Sequence, residues 1–199
     1  MATFVITLMK HFQVTQTHIV APDVNTLTFL LTASKRPDLF ESLVIGGGAV
    51  RVDLAAGQLK AIINSPPGSF ANINGALGVK DYLEAAAQLT PPAIIEDFRA
   101  ASSGRRLEDA SRFVRAYVTD LPKLEPLLAN IRTPALVMAG RNDPIVPVAN
   151  GQLLADKLPH NRFVILDAGH RAWEEAATQY ANEIRSWLGK GYRTARQAQ

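Results

Sequence analysis

Three short apolar runs each lead into a polar residue with useful chemistry. Asp23 follows His18-Ile19-Val20-Ala21, Asp143 follows Ala135-Leu136-Val137-Met138, and His170 follows Phe163-Val164-Ile165-Leu166. A carboxylate with an ordinary pKa of about 4 is ionised at neutral pH and attacks carbon without first losing a proton. A histidine titrates near neutrality and takes a proton from water, and a second carboxylate can hold its ring in the required orientation. Runs of this kind read as buried strands, and open α/β sheets gather their ligands at the carboxyl ends of such strands. Each residue also has a plainer use: Asp23 as a helix N-cap, Asp143 in the turn Asn142-Asp143-Pro144, and His170 as a loop residue.

Other chemistries find little support. Cysteine is absent, and His11, His18 and His160 lack metal-ligand spacing, so no metal is expected. Gly46-Gly47-Gly48 is not a dinucleotide fingerprint, because Arg51 stands where the third glycine is needed. It reads instead as close backbone packing at a strand end. Gly189-Lys190-Gly191 lacks the rest of a phosphate loop, and no cofactor is expected. Glu174 and Glu175 fall in the first turn of a helix, where they favour its dipole rather than act as acids.

The elements that must position these residues alternate. Phe4, Val5, Leu8, Met9 and Phe12 recur at helical spacing, followed by the strand 18–21, a turn at 22–25, a helix striped by Leu27, Leu30 and Leu31, and the strand 42–45. Strand, helix, strand in this compass is the crossover of a parallel sheet. Residues 51–129 carry helical patterns without strand signals, broken at Pro66-Pro67-Gly68, Pro91-Pro92 and Ser102-Ser103-Gly104, and read as an inserted helical cap. Strand patterns resume at 135–138 and 163–166 with a helix between them. A last helix aligns Trp173, Ala176, Ala177, Tyr180, Ala181, Ile184, Trp187 and Leu188, and should stop at Gly189 and Gly191 with frayed residues beyond. The expected organisation is a core of 1–50 and 130–190, a cap of 51–129 and a basic tail of 191–199.

The stretch from Thr133 to Pro147, Thr-Pro-Ala-Leu-Val-Met-Ala-Gly-Arg-Asn-Asp-Pro-Ile-Val-Pro, resembles the acid-loop region of the α/β-hydrolase family. Asp167-Ala168-Gly169-His170 followed by Trp173-Glu174-Glu175 is similar to its catalytic-histidine turn, and Arg36 to Val44 is similar to the segment after its nucleophile helix. The resemblance implies an α/β fold, a parallel sheet flanked by helices with a helical cap inserted, and it implies that the family's first strands are missing before residue 1. It also implies the roles of nucleophile for Asp23, acid for Asp143 and base for His170. The chain departs from the family's G-x-S-x-G elbow, reading Ala21-Pro22-Asp23-Val24-Asn25. That disfavours a serine esterase. An aspartate nucleophile is the device of the epoxide-hydrolase and haloalkane-dehalogenase branches. Val24 stands where dehalogenases commonly place a halide-binding tryptophan, so epoxide opening is preferred. By this resemblance the Val24 N–H supplies half of an oxyanion hole, and Tyr82 and Tyr117 are the cap residues able to donate a proton to an opening ring.

Length and composition bound the rest. The 199 residues fit one core with an insertion, and a 47% hydrophobic content supports a packed interior. The formal charge of +3 equals the contribution of Lys190, Arg193 and Arg196, leaving residues 1–189 neutral. A nucleic-acid partner is therefore not expected. No apolar run reaches a bilayer-spanning length and no signal peptide opens the chain, so no membrane association and a cytoplasmic location are expected. The expected partner is a small-molecule substrate, with a homo-oligomer possible through the exposed edge of the first strand. The rival expectation is a truncated or degenerate scaffold that binds a ligand or partner without catalysis.

Overall fold

Short runs of apolar and β-branched residues bounded by proline, glycine and aspartate fold into parallel strands, as the crossover pattern requires. The computed structural model describes residues 1–74 and 89–197. Helix α1 (Ala2–His11) leads into β1 (Thr17–Pro22), α2 (Asn25–Lys35) and β2 (Phe40–Gly46). After α3 (Gly57–Ile63), α4 (Pro92–Ala101), α5 (Arg106–Arg115) and α6 (Tyr117–Leu124) come β3 (Ala135–Gly140), α7 (Ala149–Lys157) and β4 (Asn161–Leu166). The C-terminal segment holds α8 (Ala172–Glu175), α9 (Ala177–Ser186) and α10 (Tyr192–Gln197).

The described chain forms two units, 1–57 with 119–199, and 58–118. In the first, four parallel strands lie in the order β1-β2-β3-β4. Val44 pairs in register with Val20 on one side and Leu136 on the other, and Met138 pairs with Val164. Val44, Leu136, Met138 and Leu166 form one apolar cluster with Ala172, Tyr180, Trp187 and Tyr192 of the C-terminal segment. Each fully buried large aliphatic side chain of this cluster contributes roughly 1.5–3 kcal/mol. Helix α2 packs on β1 and β2, and α7 on β3 and β4. Strand β1 lies at the sheet edge, with Val20 half-exposed.

The second unit is held by a buried carboxylate. Glu108 accepts hydrogen bonds from the Gly68 and Phe70 N–H groups, both at 3.0 Å, and pairs with the Arg115 guanidinium, which also donates to Ser65. These contacts, the Gly68 N–H first among them, hold the Glu108 carboxyl below the ordinary carboxylate range against the effect of burial.

Two expectations are corrected. Helix α1 buries Ala2, Val5 and Met9 but leaves Phe4, Leu8 and Phe12 exposed, so its apolar residues divide between two faces. The last helix neither runs unbroken from Trp173 nor ends at the glycines. It breaks at Ala176, resumes as α9, widens into a π-helical turn over Trp187–Gly191 and continues as α10. That turn brings Trp187 and Tyr192, five residues apart, into the same core cluster. The Trp187 indole N–H donates to Ser42 Oγ at 3.0 Å and the Tyr192 hydroxyl donates to Glu41 at 3.1 Å. Tertiary contacts of this kind outweigh the roughly 1 kcal/mol helix penalty of each glycine.

Candidate functional site

The carboxyl ends of β1, β3 and β4 bring Asp23, Asp143 and His170 together. Asp23 sits in a left-handed turn with φ of 58°, a conformation that aspartate tolerates better than most residues with a Cβ. Its N–H donates to the Gly46 carbonyl at 2.9 Å and its own carbonyl accepts from the Thr26 N–H at 2.9 Å. The first helical turn is locked by Thr26, whose wholly buried hydroxyl lies 3.2 Å from the Ala21 and Gly46 carbonyls and accepts from the Gly46 N–H at 3.0 Å. Val24, at the N-cap of α2, receives no side-chain cap hydrogen bond. Asp23 thus stands one residue ahead of the N-cap, in a turn that leaves its carboxylate 3.7 Å from the His170 imidazole.

The glycines at and just after the end of β2 make room for close backbone packing, Gly48 against this turn. A Cβ on Gly46 would lie 1.8 Å from the Met138 carbonyl oxygen, and one on Gly48 would lie 2.2 Å from the Asp23 carbonyl oxygen. Gly140 does the same between the other two loops, since a Cβ there would meet the Gly169 carbonyl oxygen at 2.0 Å. The Asn142 N–H donates to the Ala168 carbonyl at 3.0 Å, fastening the Asp143 loop to the His170 loop.

Asp143 serves both its turn and the site. Oδ1 accepts from the Ile145 and Val146 N–H groups, each at 2.8 Å, while Oδ2 accepts from His170 Nδ1 at 2.9 Å. A carboxylate bonded this way only accepts, so the imidazole proton resides on Nδ1 and Nε2 presents its lone pair. Nε2 lies 3.7 Å from Asp23 Oδ1, beyond hydrogen-bond length, and the Asp23 side chain is 42% accessible. The imidazole edge rests against Trp173 with ring centroids 6.2 Å apart.

The Asp23 and His170 side chains depart from their ordinary titration in the same direction. Desolvation at the turn pushes the Asp23 carboxyl up, with the Asp143 charge adding to it, against the pull of His170 and the Val24 N–H. Burial alone would push the His170 pKa down, but it is outweighed by the bond and charge of Asp143 and by the charges of Asp23 and Glu175, so its pKa rises above the ordinary 6.5.

Val24 stands immediately after Asp23, half-buried at the start of α2. Tyr117 lies in the second unit, 1% exposed and edge-on to Phe113 at 5.7 Å, whereas Tyr82 falls outside the described residues. Among the described residues no group of histidine, aspartate and glutamate side chains is arranged to hold a metal ion, and no helix is long and apolar enough to cross a membrane. Thr26 and Glu175 are missing from the sequence-derived set of site residues. A threonine three positions after the elbow and a glutamate five after the histidine carry no signal until the loops meet.

Known proteins resemble this chain in sequence and in fold. The pattern of the alpha/beta hydrolase fold family matches residues 72–177, more than half of the chain. The chain is 27% identical over 188 residues to a candidate carbamate hydrolase, RutD, of Pseudomonas savastanoi, covering 86% of this chain and 67% of that protein. It is 26% identical over 176 residues to 3-oxoadipate enol-lactonase 2 of Acinetobacter baylyi, covering 85% of this chain and 62% of the lactonase. In three dimensions it superposes on a hydrolase from Pseudomonas aeruginosa with a TM-score of 0.72 at 22% identity, covering 94% of this chain and 70% of the other. The chain thus spans about two thirds of the length of the proteins it matches. None of these relatives carries an epoxide-hydrolase or dehalogenase name, so the expected branch is not specified by them. The sheet, the loop ends and the matched sequence agree, and the chain belongs to the alpha/beta hydrolase fold family, alongside relatives named as hydrolases and lactonases.

Proposed function

We propose that this protein is a hydrolase of small organic electrophiles that uses Asp23 as its nucleophile, with His170 as the base and Asp143 as the residue orienting that base. The observation that carries this reading is the placement of the Asp23 carboxylate in a left-handed turn 3.7 Å from Nε2 of a histidine whose other nitrogen is held by Asp143 at 2.9 Å. One Asp23 oxygen attacks an electrophilic carbon, a carbon–oxygen bond forms, and the bond to the leaving oxygen breaks. With an epoxide, the preferred substrate class, that oxygen leaves as an alkoxide and takes a proton from water. Water then adds to the Asp23 ester carbonyl as His170 accepts its proton. The Val24 N–H, immediately after the nucleophile in sequence, stabilises the resulting oxyanion. Collapse expels the alcohol, which takes the proton from His170, and the Asp23 acid so formed gives up its own proton to solvent, restoring the carboxylate with one oxygen from water.

That bookkeeping of atoms sets the test. Multiple turnovers on an epoxide panel in oxygen-18 water should place heavy oxygen in the peptide containing Asp23. Turnover without labelling of that peptide would exclude the ester, and a folded protein inert towards epoxides, lactones and carbamates would favour binding without catalysis.

The pH dependence follows from the direction of the His170 shift. Hydrolysis of the ester needs neutral imidazole, so kcat should rise with pH through the His170 pKa, placing the limb above the ordinary 6.5. In Asp143→Asn the bond and charge of the carboxylate are gone, and the limb should move to lower pH. A limb that stays in place in a folded variant would remove Asp143 from this role.

A further inference from the structure

The backbone on either side of His170 is held as well. The side chain of Glu175, one helical turn later, doubles back so that Oε2 accepts from the Gly169 N–H at 2.6 Å and Oε1 accepts from the Arg171 N–H at 3.0 Å. These two peptide groups flank His170. The Glu175 N–H in turn donates to the Arg171 carbonyl at 2.9 Å, so backbone and side chain together close a ring around residues 169–175. The neighbouring Glu174 has a different task, pairing with the Arg171 guanidinium at 2.6 Å. Gly169 fits the same design, since a Cβ there would lie 2.9 and 3.1 Å from the two Glu175 carboxylate oxygens.

We propose that Glu175 is a positioning residue: its carboxylate clamps the peptide groups on both sides of His170 and fixes the imidazole between Asp143 and Asp23. The catalytic meaning of this clamp rests on the reading of His170 as the base. Three of the four expected consequences do not.

A carboxylate suits the position because it offers two acceptors in one rigid fork, and charge-assisted bonds to N–H groups are stronger than neutral ones. Glutamine has one oxygen and an NH2 group, which would face one of the two N–H donors. The Glu175→Gln side chain is exposed and nearly isosteric, so the fold should survive the change. Alanine at Gly169 acts from the other side. Only the flexible end of Glu175 stands in the way of the new Cβ, so Gly169→Ala should displace the carboxylate without disturbing the backbone.

In Glu175→Gln, amide exchange at Gly169 and Arg171 should quicken roughly tenfold, as expected for loss of a charged hydrogen bond. The His170 imidazole resonances should shift. Their titration midpoint should move down, because of the charges facing His170, Asp143 and Asp23 remain while that of Glu175 is lost. On a substrate found by the oxygen-18 panel, kcat should fall roughly 10–100-fold with KM little changed, the signature of a misaligned base. Gly169→Ala should reproduce the exchange and imidazole effects. A folded Glu175→Gln protein with unaltered exchange and unaltered imidazole titration overturns the clamp, whatever the wild-type activity. Altered exchange and titration in a protein inert towards every substrate would leave the clamp standing and remove the catalytic reading of His170 instead.

Discussion

Asp23→Asn should abolish multiple turnover, lowering kcat/KM by at least about 10³-fold, while leaving the protein folded. The choice of asparagine matters. Residue 23 has φ of 58°, which asparagine adopts about as readily as aspartate and which most other residues with a Cβ adopt only at a cost of roughly 1–2 kcal/mol. The N–H and carbonyl bonds that fix the turn, to Gly46 and from Thr26, belong to the backbone and survive the substitution. Only the anionic oxygen that forms the ester is lost, because an amide is a feeble nucleophile. Comparing initial rates with circular dichroism and thermal melting checks both halves of the expectation. Undiminished turnover in a folded variant would remove Asp23 from the chemistry.

His170→Gln should behave differently, and the difference separates the two halves of the reaction. Attack by Asp23 requires no base, so the first step should persist, whereas hydrolysis of the ester should slow by about 10²–10⁴-fold without general-base help. With an epoxide, whose leaving oxygen stays attached to the adduct, the variant should therefore consume one substrate per active site and stop. Intact mass measurement should find the protein heavier by the mass of the substrate, with the adduct on the peptide containing Asp23. If neither a burst nor an adduct forms while the wild-type protein turns over, His170 is acting before the ester forms, and the order of steps is wrong. The side chain is 13% accessible and is hydrogen-bonded to Asp143, so glutamine, which fills much of the same space, is a gentler replacement than alanine.

Much of the fold was legible because the periodicities were clean. Val44, Leu136, Met138 and Leu166 fall in short apolar runs, and such runs have few options other than buried parallel strands. The ends of the chain were less legible. The glycines at 189 and 191 carry a stop signal that the pairing of Trp187 with Ser42 and of Tyr192 with Glu41 overrides, and both partners lie some 150 residues away in the sequence. Likewise Phe4, Leu8 and Phe12 read as core on periodicity, yet a helix packed along one face buries only Ala2, Val5 and Met9. A single helix cannot announce which of two apolar stripes will find a neighbour.

By itself, the sequence determined the chemical inventory: two carboxylates and a histidine, each just after an apolar run, no cysteine, and an elbow with aspartate in place of serine. It determined these because residue type and short-range spacing are local properties of the chain. Tertiary structure alone decided that Asp23 stands in a left-handed turn 3.7 Å from His170, that Gly46, Gly48 and Gly140 are points where backbone presses against backbone, and that Glu175 reaches back around His170. Those outcomes depend on distances between segments far apart in the chain. Such distances are set by how parallel strands align in register, not by any residue's own preference.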